Sequence, residues 1–92
     1  MPLALVTGAS AGIGRSFAEL LASRGFDLIL VARSTARIDA LGRDLTGRFG
    51  IACETWTADV SSDAGREEVA ERIEGLPRLD LLVNNAGFAT TG

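Results

Sequence analysis

Short apolar runs alternate with helical patterns along the whole chain. Leu3-Ala4-Leu5-Val6 is a continuous apolar run that ends at Thr7-Gly8. Leu28 to Ala32 is a second. Ile51 to Ala58 is more polar, with Cys53, Thr55 and Thr57 alternating with Ala52, Glu54 and Trp56. Leu79 to Val83 is a fourth run, interrupted by Asp80. Apolar runs without polar alternation fit strands covered on both faces, the usual state of a parallel sheet. Between the runs the period becomes helical. Ile13, Phe17, Leu20 and Leu21 share one face of a helix that ends near Arg24-Gly25. Ile38, Leu41, Leu45 and Phe49 do so in a second helix, and Val69, Ile73 and Leu76 in a third. Ser61-Ser62-Asp63 supplies cap candidates for the third helix, and Pro77 follows it. The order β-α-β-α-β-α-β with right-handed crossovers predicts an α/β fold. It is half of a doubly wound parallel sheet with strand order 3-2-1-4. Leu81-Leu82-Val83 reads as a central, doubly covered strand. The whole of residues 1–92 therefore looks like the front part of a larger domain, truncated at its C-terminal side.

Composition narrows the chemistry. The 92 residues are 47% hydrophobic, enough for a globular core and too apolar for a disordered tail. The cations are nine arginines with no lysine, set against twelve acids for a net charge of -3. No basic run exists to hold a nucleic-acid backbone. One cysteine, Cys53, and no histidine exclude an internal disulfide and a Cys/His zinc site within the chain. Ser-His-Asp, Cys-His and lysine Schiff-base catalysis are excluded with them. No targeting segment is visible, and no run approaches the roughly 18 apolar residues of a membrane span. The expectation is a cytoplasmic protein that contacts neither membrane nor nucleic acid.

The candidate chemistry sits at the ends of the apolar runs. Gly8, Gly12 and Gly14 punctuate the turn from the first strand into the first helix. Glycines so spaced suit a loop laid over a diphosphate, with the helix's free N–H groups and about half a positive charge facing the anion. It is not a P-loop, because the chain has no lysine. Dinucleotide folds usually place an acid at the end of the second strand to bind the ribose hydroxyls. Here that place holds Ala32, followed by Arg33 and Ser34. A guanidinium at this point fits a 2′-phosphate and stacks on adenine. Arg37, one helical turn on, is a second candidate. Asp59-Val60 ends the third strand, where the carboxylate either meets an adenine amino group or, with Ser61, caps the next helix. Asn84-Asn85-Ala86-Gly87 ends the fourth, where small residues admit a ribose and an Asn amide ties strand ends together.

Taken together, Thr7-Gly8-x3-Gly12-x-Gly14, Asp59 and Asn84-Asn85-Ala86-Gly87 resemble a short-chain dehydrogenase/reductase over the whole chain. The resemblance implies the N-terminal part of a Rossmann-type fold, a dinucleotide-binding half. It implies an oxidoreductase that moves hydride between a nicotinamide cofactor and a small alcohol or carbonyl substrate, homo-oligomeric at full length. By carry-over, Gly8, Ser10, Ala11, Gly12, Ile13 and Gly14 form the pyrophosphate loop, with Ser10 near the adenosine ribose. Asp59 and Val60 flank adenine, and Asn85, Ala86 and Gly87 line the ribose. NADP-preferring members carry a basic residue at the position of Ala11 or of Arg33. This chain has the second, so NADP(H) is the expected cofactor and NAD(H) the lesser one. The family's catalytic Ser and Tyr-x-x-x-Lys lie beyond the Asn-Asn-Ala-Gly segment. With no Tyr and no Lys here, no catalytic residue carries over and these residues alone are expected to be inactive. Rival readings are a non-enzymatic NAD(P)-binding module or truncated remnant, and a nucleoside-phosphate or flavin binder on the same topology.

Overall fold

The computed structural model describes residues 1–84. Strands β1 (Leu3–Thr7), β2 (Asp27–Ala32), β3 (Cys53–Thr57) and β4 (Leu81–Val83) alternate with helices α1 (Gly12–Ser23), α2 (Thr35–Phe49) and α3 (Asp63–Glu74). The four strands form one parallel sheet in the order β3-β2-β1-β4. This is the element order and strand order that the apolar runs predict.

The sheet has two buried faces, because successive strand residues point to opposite sides. On one side Ala4, Val6, Leu28, Leu30 and Ala32 pack with Ala18, Leu21 and Ala22 of α1 and Ile38, Leu41 and Leu45 of α2. On the other side Leu5, Ile29, Val31 and Trp56 pack with Val69 of α3. The continuous apolar runs of β1 and β2 are thus explained by coverage on both faces. β3 lies at an edge, and its alternating polar positions follow from that.

Two expectations need correction. The predicted inward face of α1 was Ile13, Phe17, Leu20 and Leu21. The residues that face the sheet are Gly14, Ala18, Leu21 and Ala22, while Ile13, Phe17 and Leu20 are 65%, 41% and 46% exposed. Small residues win the inner face because the helix lies close against β1 and β2, and only Leu21 belongs to both sets. Likewise Leu81 and Leu82 are exposed, not doubly covered, because β4 pairs with β1 alone among the described residues. Two smaller differences lie at helix ends. Phe49 is 36% exposed, and Leu76 lies past the end of α3, although it still packs under the sheet.

Candidate functional site

The C-terminal ends of β1, β2 and β3 and the N-terminal end of α1 converge on one rim of the sheet. The turn after β1 bends through positive backbone angles at Gly8 (φ 65°) and Gly12 (φ 61°). A side chain at either is strained there, so the spacing of the glycines is imposed by the backbone itself. Nothing lies within 4 Å of the place a Cβ on Gly12 would occupy, so that side of the loop is open. Gly14 is buried beneath α1, on the inner face of the helix.

The three helices start differently. Ser34 caps α2 by accepting from the Arg37 N–H, and Ser62 caps α3 by accepting from the Gly65 N–H. The cap position of α1 is Ala11, which offers no side-chain acceptor, and no acid lies in its first turn. The amide groups at this end are therefore left for water or a ligand.

Ser10 stands between two clefts. The first is lined by Gly8, Ser10, Ala32, Arg33, Ala58, Asp59, Val60 and Ser61, with a volume near 290 Å³. It brings together the glycine turn, the residue after β2 and the residues after β3, as the sequence reading required. The second, near 490 Å³, is lined by Ser10, Ala11, Gly12, Arg15, Arg37, Ala40, Leu41 and Asp44. Ile13 lines neither; it faces an apolar hollow on the outside of α1 with Phe17 and Leu20.

Asp59 does two things at once. Its Oδ1 accepts from the Ser61 N–H at 3.0 Å and the Ser61 hydroxyl at 2.5 Å. These bonds, with lesser help from the Arg33 and Arg66 charges, hold its carboxyl below the usual aspartate range. It is therefore an anion whose Oδ2 has no hydrogen bond among the described residues. Of the two roles the sequence left open, helix capping belongs to Ser62, and Asp59 shapes the turn that precedes it. At the far rim, the Thr7 hydroxyl donates to Asn84 Oδ1 at 3.1 Å, tying the ends of β1 and β4. Asn85, Ala86 and Gly87 lie outside the described residues.

The short chain dehydrogenase family model matches residues 2–92. The chain belongs to the short-chain dehydrogenase family. A very-long-chain 3-oxoacyl-CoA reductase of Neurospora crassa is 44% identical over 87 residues, which are 91% of this chain and 26% of that protein. A short-chain dehydrogenase of Sphingobium yanoikuyae, solved in complex with NADPH, superposes with a TM-score of 0.90 at 44% identity, covering 100% of this chain and 36% of that one. The L-sorbose reductase of Gluconobacter frateurii, solved with NADPH and L-sorbose, gives a TM-score of 0.85 at 36% identity, over 97% of this chain and 34% of that one. The chain thus spans about a quarter of the length of the curated relatives it matches.

Two residues of this short-chain dehydrogenase rim escaped the sequence reading. Arg15 directly follows Gly14 of the glycine motif, whose spacing draws attention to the glycines and not to the residue after them. Its signal is that place, in the first turn of α1 and four residues after Ala11. Gly65 lies in the first turn of α3. A Cβ there would overlap the Asp59 carbonyl, so this glycine lets α3 start directly beneath the turn at the end of β3.

Proposed function

We propose that this chain is the NADP(H)-binding half of an oxidoreductase that transfers hydride between nicotinamide and an alcohol or carbonyl substrate. The observation that carries the reading is Arg33. It follows β2 where dinucleotide folds usually keep an acid, and shares a cleft with Gly8, Ser10 and Asp59. It makes no ion pair or side-chain hydrogen bond among the described residues. The donor set suits the cofactor: an open glycine turn and uncapped amides for the pyrophosphate, a guanidinium for the 2′-phosphate, and an ionised Asp59 with Val60 for the adenine. Asn85, Ala86 and Gly87 are assigned the ribose. Bound NADPH supplies the hydride, and this chain's own residues bind and orient it. The relatives' names, 3-oxoacyl-CoA reductase and L-sorbose reductase, favour a carbonyl substrate.

Residues 1–92 hold no Tyr or Lys, so proton donation to the substrate is assigned to other parts of a longer protein. No helix among the described residues is long and apolar enough to cross a membrane. We further infer a cytoplasmic, homo-oligomeric full-length protein that contacts neither membrane nor nucleic acid. The test is titration of NADPH and NADH against the full-length protein and its Arg33→Ala variant. NADPH should weaken by about 1–3 kcal/mol, the scale of a charged hydrogen bond, while NADH barely changes. Equal losses for both cofactors overturn the assignment.

A further inference from the structure

The second cleft beside Ser10 is larger than the first and is not explained by Arg33. It is walled by Arg15 of α1 and Arg37 of α2. Among the described residues, Arg48, Arg66 and Arg78 are ion-paired and Arg72 lies over Trp56. Arg15 and Arg37 have neither kind of partner; the same is true of Arg24, Arg33 and Arg43, but of these five only Arg15 and Arg37 line this cleft. The acid in their cleft, Asp44, is engaged elsewhere: Arg48 Nη1 donates to its Oδ2 at 2.9 Å. Two uncommitted guanidiniums therefore face one hollow whose own acid is already matched.

Position 11 sharpens the point. Ala11 lines the same cleft and carries no charge. Arg15 follows it by four residues and lines the same cleft from the first turn of α1. A phosphate monoester carries about -1.5 to -2 charges at neutral pH, so one arginine leaves it incompletely matched. Arg33 also shares its field with Asp59 across the first cleft.

We infer that Arg15, together with Arg37, is a specificity-determining residue that completes the 2′-phosphate site from the α1–α2 side. Ser10, common to both clefts, marks where the phosphate lies, with Arg33 on one side and Arg15 and Arg37 on the other. The inference rests on the NADP(H) reading above and assigns Arg15 the part that a basic residue at position 11 would play.

The probes are adenosine 2′,5′-bisphosphate and 5′-AMP, which differ by the 2′-phosphate alone, titrated calorimetrically into the full-length protein. Arg15→Ala should weaken the bisphosphate about tenfold, the low end for a charge-assisted hydrogen bond at an exposed site, and leave 5′-AMP within about twofold. Arg37→Ala should act in the same direction. Adding Ala11→Arg to Arg15→Ala should restore the discrimination, which a merely structural role for Arg15 would not allow. Arg15 is exposed and Ala is the better helix former, so folding is not at risk. If Arg33→Ala abolishes the discrimination while Arg15→Ala and Arg37→Ala leave it intact, the inference is wrong and the NADP(H) reading stands. If the unmodified protein binds both probes equally, the NADP(H) reading fails and takes the inference with it.

Discussion

At the β3 edge, Trp56 is 2% exposed, packed with Val69 and Ile73 of α3. Its indole N–H donates to Glu54, and the Arg72 guanidinium lies 4.4 Å from its ring centre. Thr55 donates to Asp39 of α2, and Thr57 shares a hydrogen bond with Thr35. At the β4 edge, Leu81 and Leu82 are 39% and 51% exposed, and the outward face of α1 is likewise apolar at Ile13 and Phe17. The first edge carries charge, hydroxyls and a covered aromatic, the devices that keep a strand from pairing further. The second has one ion pair, Arg78 with Asp80, just before β4 begins, and no charge, hydroxyl or aromatic within Leu81–Val83. One side of this sheet is chemically closed and the other chemically open, and the cofactor rim lies along the strand ends between them.

The closed side depends most on Trp56. Trp56→Ala should cost about 3–5 kcal/mol, the range for deleting a buried aromatic. Arg72→Ala, which removes only the cation above the ring, should cost about 0.5–1 kcal/mol. Urea unfolding followed by circular dichroism measures both, since Trp56 is the chain's one tryptophan and fluorescence is lost with it. Equal costs would mean that the closure rests on the cation and not on burial.

Gly65→Ala comes next. The new methyl would collide with the Asp59 carbonyl, a backbone group that moves only if the 59–62 turn moves. Overpacking of this kind costs about 1–3 kcal/mol, in excess of the small gain in helix propensity. Because that turn holds Asp59, adenosine binding should weaken in parallel. A variant as stable as the parent would show that α3 can retreat from β3 freely.

The open side gives a different kind of effect. In the 92-residue chain alone, an apolar strand edge invites association. Leu82→Lys should lower self-association in sedimentation velocity without changing the circular dichroism spectrum. Within a longer protein the same change should be harmful, if another strand pairs there. A parent chain that is already a clean monomer at high concentration would remove the contrast between the two edges.

These outcomes bear on what the sequence made legible. Strand order, helix order and the clustering of Gly8, Arg33 and Asp59 followed from periodicity and punctuation, because a parallel sheet brings strand ends together whatever the side chains are; Ser10 came from the family resemblance. The inward face of α1 did not follow. Periodicity finds an apolar stripe, and α1 has a large-residue stripe outside and a small-residue stripe inside. Choosing between them needs the distance from helix to sheet. Arg15 was hidden for a related reason: it matters through α2, which lies across a cleft and far along the chain. Gly65 was hidden because the atom it avoids, the Asp59 carbonyl, belongs to backbone.

The smallest effects are electrostatic, and they distinguish the edges by pH. At the β4 edge the Leu3 N–H donates to Asp80 Oδ2 at 2.8 Å, and the Asp80 N–H returns a bond to the Leu3 carbonyl at 2.9 Å. The first of these bonds, then Arg78, holds the Asp80 carboxyl below the usual aspartate range. Ser61 does the same for Asp59 at the opposite, C-terminal end of the sheet. A carboxyl whose pKa is lower in the folded state stabilises the fold above its unfolded pKa, about 3.9, and loses that contribution as pH falls through the folded value. Cys53 on β3 has the opposite sign. Burial pushes its thiol up, so its contribution is full below the unfolded pKa, about 8.5, and is lost as pH rises toward the folded one. The urea midpoint should therefore sag on both sides of neutrality. Asp80→Asn should flatten the acid limb and should leave the alkaline limb alone, while Cys53→Ala should do the reverse. Hydrogen exchange adds the location: below pH 4, β4 amides should lose protection before those of β3, because Asp80 is the side-chain anchor between β4 and β1 at that end. Loss of β3 protection first would mean that Trp56 does not secure its edge against acid as its packing implies.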